Sequence, residues 1–409
     1  MSRTRLHLIP SLLLAISYAH ADEWHYNNIH LGERALGLAG AYTAIADDAS
    51  GLYYNPAGIS YASDRSLSGS VNTFYHSNKT YQDALSPGLN YERKSSSLLP
   101  NFFGVIQPLD KGVVGFSYAV TDSIIEDQDQ QFAAFLNNQS FFINVNNRDT
   151  THKIGPSYAL AINDKFALGA TLYFHHRTYE TIVNQWFNKN DGRQFWENYY
   201  IEASESGYQP VLGMMWSPID RLSIGLSLRQ TQIVSSDYQL QQTNATPAED
   251  GSDQLLAPQV HQDDGARDTP LTSNLGIAWF ASDRLLFSSD FAYYSATTDQ
   301  GGYSAREATW NIALAAEYYP VANWAVRGGY FSNNANTPKI DTTATNQHEH
   351  VDLHGLALSV SRFTRNSSLS VGLNYSRGSG EAQLFSDNSA VQTLKMESVN
   401  LFLASSYAF

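Results

Sequence analysis

Four side chains invite a chemical reading first: His348, His350, Asp352 and His354 recur at every second position. On an extended strand that spacing puts all four on one face, where imidazoles and a carboxylate are able to hold a metal ion. The same parity continues into Leu356, Leu358 and Val360. A polar rim above an apolar wall accounts for this better than a metal centre, and no metal is assigned. His175 and His176 are adjacent, so one ring points in and one out, which again reads as a rim. Ser, His and Asp abound, but there is no Gly-x-Ser-x-Gly elbow, paired-carboxylate motif or Walker loop. No catalytic residue, no cofactor and no enzymatic activity are expected.

Isolated charges within apolar alternation are more informative. The last strand sets the phase: Val399, Leu401, Leu403, Tyr407 and Phe409 share one parity, and the smaller Ser398, Asn400, Ala404 and Ala408 the other. With the larger apolar residues of each strand outward, Lys153, Arg177, Arg229, Asp290, Glu317 and Arg327 all fall inward. A charge facing lipid near the midplane costs about 2–4 kcal/mol, which favours that assignment. Glu317 and Arg327 flank a turn at 320–323 almost symmetrically and are expected to pair across strands. Arg229 and Asp290 are read as further lumen salt bridges. Lys153 and Arg177 lie well away from the nearest short turn, where a carboxylate would meet them after its tail entered an apolar pocket. The polar stretch 122–148 carries Phe135, Phe141 and Phe142, which suit capture of a greasy ligand.

These residues need elements to hold them. Period-2 alternation marks about fourteen strands, centred near Val71, Phe103, Phe116, Ser157, Leu172, Val211, Leu226, Ile277, Phe287, Leu314, Val326, Leu358, Val371 and Leu403. Short turns near 109–111, 163–165, 218–220, 282–284, 320–323 and 365–367 alternate with long polar stretches at 77–97, 122–148, 188–194, 238–268, 298–306, 333–349 and 380–394. Segregated loop lengths, and a chain ending on an outward Phe409, define an up-and-down transmembrane β-barrel with its short turns periplasmic.

Composition agrees. The 409 residues are 43% hydrophobic and 13% aromatic, with 25 Tyr and 20 Phe, which suits a wall where only alternate residues meet lipid. No Cys is present, so no disulfide framework is involved. A net charge of −14 excludes nucleic acid as a partner. Residues 1–21 read as a signal peptide: Arg3 and Arg5, an apolar core at 6–16, and Ala19-His20-Ala21 for cleavage. No later run approaches the roughly 20 apolar residues of a spanning helix.

Residues 22–61 differ from the rest, and 62–409 form the barrel. The segment is rich in Gly and Ala, carries Asp47-Asp48 and turns at Asn55-Pro56-Ala57, with neither strand nor helix periodicity. A fourteen-strand lumen is too wide for side chains to fill, so this segment is expected to fold into it as a plug. Buried Asp47 and Asp48 then need partners, with Arg229, Arg327 or backbone N–H groups as candidates.

The run Arg34-Ala35, Gly37, Gly40-Ala41, Ala44 to Ser50 and Asn55-Pro56-Ala57-Gly58 resembles the hatch signature of the FadL family of outer-membrane transporters for long-chain fatty acids and aromatic hydrocarbons. Leu99-Pro100-Asn101-Phe102-Phe103, Leu168-Gly169, Ile224-Gly225-Leu226 and Val326-Arg327-Gly328-Gly329-Tyr330 extend the likeness along the chain. The resemblance implies an all-β, fourteen-stranded antiparallel barrel plugged by an N-terminal hatch. It also implies a monomer in the Gram-negative outer membrane among lipid and lipopolysaccharide, taking up a hydrophobic small molecule by passive transport. Long-chain fatty acid leads, with monoaromatic hydrocarbon as the alternative, and cations at the pocket distinguish the two. A barrel scaffold serving protein secretion is the reading from another class, with 238–268 as a partner surface. In the family the ligand leaves sideways at a kink in the third strand. Here that strand, from Gly115 to Ser123, holds neither Pro nor a further Gly, which speaks against an exit there.

Overall fold

The computed structural model describes residues 24–62, 65–135, 138–247, 253–300, 303–384 and 390–409. The expected signal peptide, and the first two residues of the expected hatch, lie outside the described residues. Among those described, all strands belong to one antiparallel sheet that closes on itself, with β1 paired to both β2 and β17.

The first six strands are long: β1 (Ser66–Ser86), β2 (Leu89–Pro108), β3 (Val113–Phe135), β4 (Asn138–Asn163), β5 (Phe166–Lys189) and β6 (Gln194–Ile219). The seventh wall position is divided at 230–231 into β7 (Leu222–Arg229) and β8 (Gln232–Pro247), both against β6. A short β9 (Asp253–Leu255) folds back on β8, and the eighth position sets β10 (Gln259–Asp263) against β8 and β11 (Thr272–Ser282) against β7. The circuit finishes with β12 (Leu285–Tyr294), β13 (Thr309–Val321), β14 (Trp324–Asn333), β15 (Leu353–Phe363), β16 (Ser367–Ala382) and β17 (Gln392–Ala408). Around the wall this makes fourteen strands, and each expected centre falls within one.

The alternation is that of a membrane wall. On β5, Leu168, Leu172 and Phe174 are exposed while Ala167, Thr171 and Tyr173 are buried. On β17, Leu401, Leu403 and Tyr407 face out while Phe402 and Ala404 face in. An apolar exterior around a largely polar interior is favourable only in lipid, where a closed ladder leaves no free sheet edge. The chain is an outer-membrane barrel.

Several stretches expected as loops are strand. Residues 77–97 and 122–148 continue the ladders of β1 with β2 and of β3 with β4, and much of 238–268 is paired as β8 to β10. A span needs about 9–11 residues, whereas β4 has 26. The surplus stands above the membrane as a tower. Towards its top, inward positions such as Phe132, Phe141, Ile143, Val183 and Phe187 are apolar and buried together, while its outward positions are mostly polar. Reading polarity alone hides such a strand, because one face is meant for water.

Residues 24–61 lie against the inner wall. They form α1 (Glu33–Gly37), α2 (Gly51–Tyr54) and a 3₁₀ turn (Pro56–Tyr61). The turn is capped by Asn55, whose side chain accepts from Ala57 N at 3.2 Å and donates to Thr43 O at 2.8 Å and Met214 O at 3.0 Å. Glycines in the wall admit this backbone: a Cβ at Gly213 would collide with the Asn55 amide, and one at Gly225 with the Thr43 carbonyl. At the end opposite the short turns, the Arg306 guanidinium lies 4.2 Å from the centroid of the Trp24 ring and His348 stacks on it (4.2 Å), while Asn336 N donates to Trp24 O at 2.9 Å. Replacing both glycines with valine (Gly213→Val, Gly225→Val) is expected to displace the segment without opening the barrel. Limited proteolysis should then cleave near residue 50 while heat-modifiable migration on gels persists; an uncleaved segment refutes the packing described here.

Candidate functional site

A cavity of about 260 Å³ lies between the N-terminal segment and the wall, bounded by residues 25–29, by Tyr53 and Tyr54, and by the connections at 267–272 and 297–306. Seven basic groups line it: His25, Lys153, His175, Arg177, Arg229, Arg267 and Arg306, against three aspartates. Two of these cations converge on one ring. The Arg229 guanidinium lies 4.6 Å from the Tyr53 centroid and the Lys153 ammonium 5.9 Å from it. Both side chains are buried, and among the described residues neither has a carboxylate within 4.0 Å. Arg229 Nη2 donates to Tyr54 O at 3.3 Å, and its Nε has no partner. Both ring nitrogens of buried His175 are also without a partner. Cations stripped of water and left uncompensated are costly unless an anion completes them, and the aromatic face of Tyr53 recovers only part of that cost.

The other charges are committed elsewhere, with several departures from expectation. Arg177, expected as a ligand cation, donates to both oxygens of Asp149 (2.9 and 2.6 Å) with Glu205 at 3.9 Å. That fork fixes it as part of the wall, although it borders the cavity. Arg229, expected in a lumen salt bridge, makes none among the described residues, and Asp290, expected in another, turns to backbone instead: it accepts from Tyr42 N (3.2 Å) and Thr43 N (2.9 Å). Asp290 thus anchors the segment through amides and not through a cation. Glu317 lies opposite Arg327 in the ladder and accepts from its Nε at 2.5 Å. Arg34 of α1 adds a fork onto Glu317 (2.9 and 2.6 Å) and reaches Asp47 at 2.8 Å. Asp47 is therefore met by its own segment and not by Arg229 or Arg327, and Asp48 accepts from Ser50 N at 2.8 Å and from its hydroxyl. Gly37 packs against Ser359 and Gly40 takes a positive φ of 80° beside His30.

The expected capture phenylalanines separate. Phe141 is buried in the tower, stacked on Phe187 (4.6 Å) and Phe132 (5.9 Å), above the cavity and not in it. Phe142, one residue on, faces outward, as pleating requires. The side chain of Phe135 lies outside the described residues. His175, read as rim, borders the cavity. His348, His350 and His354 disperse to Trp24, to Thr337 O (2.7 Å) and to the Tyr330 hydroxyl (2.7 Å), and Asp352 takes Ala335 N. Tyr53 was not singled out; its signal was the Tyr53-Tyr54 pair just before the Asn55-Pro56 turn.

The wall beside the cavity is interrupted. Between β2 and β3, pairing runs from Pro108↔Val113 to Phe102↔Ala119 and resumes only at Ser95↔Glu126. Thr121 and Asp122, in the unpaired stretch, border the cavity. The third strand does bend here without Pro or Gly: a bulge between Val120 and Asp122 shifts its register to β4, and Pro100 in β2 has no N–H to give.

A fourteen-strand wall with its N-terminal segment packed inside, and a cavity between the two beside a side gap, is the architecture of an outer-membrane channel for hydrophobic compounds and not of an enzyme. The chain belongs to the outer membrane protein transport protein family (OMPP1/FadL/TodX), whose model matches residues 12–395. The crystal structure of a Pseudomonas aeruginosa FadL homologue is similar at TM-score 0.64 and 14% identity, over 94% of this chain and 100% of that one. The P. putida toluene transporter TodX gives 0.63 and 14%, over 92% and 98%. The CymD monoaromatic hydrocarbon channel gives 0.61 and 13%, over 94% and 99%. Identities this low speak to the fold alone. No curated protein sequence matches the chain.

The Arg34–Glu317–Arg327 cluster makes a direct prediction. Glu317→Ala leaves the buried guanidinium of Arg327 and the half-buried one of Arg34 without their shared carboxylate, so unfolding stability should fall by about 3 kcal/mol. Glu317→Gln, which keeps two of the hydrogen bonds, should lose less. Denaturant midpoints in detergent check both, and equal stability in all three proteins contradicts a structural role.

Proposed function

We propose that this channel carries long-chain fatty acids inward across the outer membrane, and that residues 24–61 act as its hatch. The observation that carries the reading is the pair of buried cations on Tyr53. A toluene-like ligand asks only for apolar walls, whereas a carboxylate needs charge-assisted donors, and Lys153 and Arg229 supply them with no carboxylate within 4.0 Å of either among the described residues. Tyr53, Tyr54 and Tyr294 give the adjoining methylenes an aromatic surface. The unpaired stretch at Thr121 and Asp122 supports sideways release into the membrane, where an acyl chain is already at home. A hydrocarbon channel is the alternative, supported by the likeness to TodX and CymD, and the basic cavity argues against it.

Two experiments test this. Lys153→Ala with Arg229→Ala should weaken oleate binding to the purified protein by roughly 10- to 100-fold, the worth of one or two charge-assisted hydrogen bonds. Binding of an uncharged aromatic should stay within a few-fold. Loss of both ligands alike, or of neither, overturns the carboxylate assignment, and growth of a deletion strain on oleate compared with an aromatic carbon source gives the cellular counterpart. Separately, removing residues 22–61 should leave a barrel that inserts but conducts as an open pore in planar bilayers. Conductance no greater than that of the full chain rules out a hatch.

A further inference from the structure

The outward face of the β4–β5–β6 tower carries side chains that neither the lipid wall nor the cavity uses. Period-2 pleating and in-register pairing arrange them in rows across the three strands. The lowest row, Ile154, Phe174 and Tyr208, is apolar and belongs to the lipid belt. Next come His152 and His176, directly paired, with Nδ1 of each engaged by the Tyr118 hydroxyl (2.8 Å) and the Ser206 hydroxyl (3.0 Å).

Further up, Asn144, Asn184 and Asn198 form a ladder of amides. Asn198 Nδ2 donates to Asn184 Oδ1 at 2.8 Å, Asn184 Nδ2 to Asn144 Oδ1 at 3.0 Å, and Asn144 Nδ2 to Asp129 Oδ1 at 2.7 Å. The chain of bonds runs head to tail and ends on a carboxylate, so each amide is locked in one orientation. Each still has a second N–H and a second lone pair to offer. One row above, Phe142, Trp186 and Trp196 stand side by side, with Phe142 and Trp186 exposed at 38% and 41%. Trp186 is itself held by Nε1 donating to Asn188 Oδ1 at 3.1 Å.

Three contiguous aromatics in water on a flat sheet have no structural purpose, and a water-exposed strand face is normally kept polar. From Phe174 to Trp186 is twelve residues. At about 3.3 Å per residue and a tilt near 40°, the aromatic row stands roughly 30 Å above the top of the lipid belt. We propose that this face binds the saccharide chain of an outer-leaflet glycolipid. Pyranose rings present C–H groups to aromatic faces and hydroxyls to amides, and here a row of each is placed side by side with the amides pre-oriented. The acyl chains of such a molecule lie against the belt formed by the same strands, and its phosphates come level with His152 and His176. The saccharide then meets the amide and aromatic rows without leaving the face. That continuity with the lipid interface selects a membrane-anchored glycan over a free one.

The test compares the detergent-solubilised full-length protein with two purified glycolipids, one bearing its core oligosaccharide and one truncated to lipid A with its phosphates retained. The wild type should bind the core-bearing form about tenfold tighter, the worth of one good aromatic contact, and Trp186→Ala with Asn184→Ala should erase the difference. Should that variant lose heat-modifiable migration, Trp196→Ala with Asn198→Ala probes the same rows from β6. Equal binding of the two glycolipids by the wild type overturns the proposal, as does a preference that survives the substitutions. Released core oligosaccharide binding as tightly as the intact glycolipid overturns the anchored source. A dimer seen in light scattering and abolished by Trp186→Ala assigns the face to a second copy instead.

Discussion

Lipid offers no hydrogen-bond partner to a peptide group, and everything else in this molecule follows from that refusal. A sheet in lipid must close, so β1 meets β17, and closure at fourteen wall strands leaves a lumen that side chains cannot fill. The N-terminal segment occupies the space, but it brings polar groups with it. Asp290 therefore turns to the amides of Tyr42 and Thr43, Glu33 to the hydroxyls of Ser368 (2.5 Å) and Ser370 (2.6 Å), and Glu317 to two guanidiniums. Lys153 and Arg229 stand out because, among the described residues, they meet the segment only through the Tyr53 ring and the Tyr54 carbonyl and have no carboxylate within 4.0 Å, which leaves positive charge at the cavity.

The same constraint explains where the wall is permitted to fail. An unpaired stretch of strand would be prohibitive in the middle of the lipid belt unless something else served its backbone and side chains. Beside the gap between β2 and β3, Asn101 reaches inward to His30 O (2.9 Å) and Asn28 reaches outward to Asp122 (3.4 Å). The segment in the lumen thereby shares in completing the wall, and a shift in it would bear directly on the gap.

Strand positions and their phase were legible in the sequence, because lipid on one side and polar lumen on the other impose a strict period of two, from Leu67 to Phe409. The family was legible too, through the Gly-Ala-rich segment before β1. The tower was not. Its outward residues, such as Asn144, Asn184 and Asn198, are those of a loop, and the alternating Phe141, Ile143 and Val145 are outnumbered when polarity is averaged. Parity placed Lys153, Arg229 and Asp290 inward but did not identify the partners they take, since those lie on a segment a hundred or more residues away in the chain. Arg34 and Asp47, by contrast, are only thirteen apart in one segment, a pairing local enough for the sequence to carry. The side gap was sought as Pro or Gly in β3, whereas the Pro stands in β2 and β3 bends by a bulge.

Trp24 has a consequence for how the molecule comes to exist. The first described residue is clasped at the mouth farthest from the short turns, by Arg306 and His348 from two separate connections, while residue 62 leaves at the base into β1. The segment between them thus traverses the lumen, and the first and last wall strands are the seam around it. The pair that completes the circuit, β1 with β17, adjoins the end of the segment that is tethered at the base, so the segment is either enclosed as that pair forms or enters end-on through the base, and biogenesis becomes a question of order.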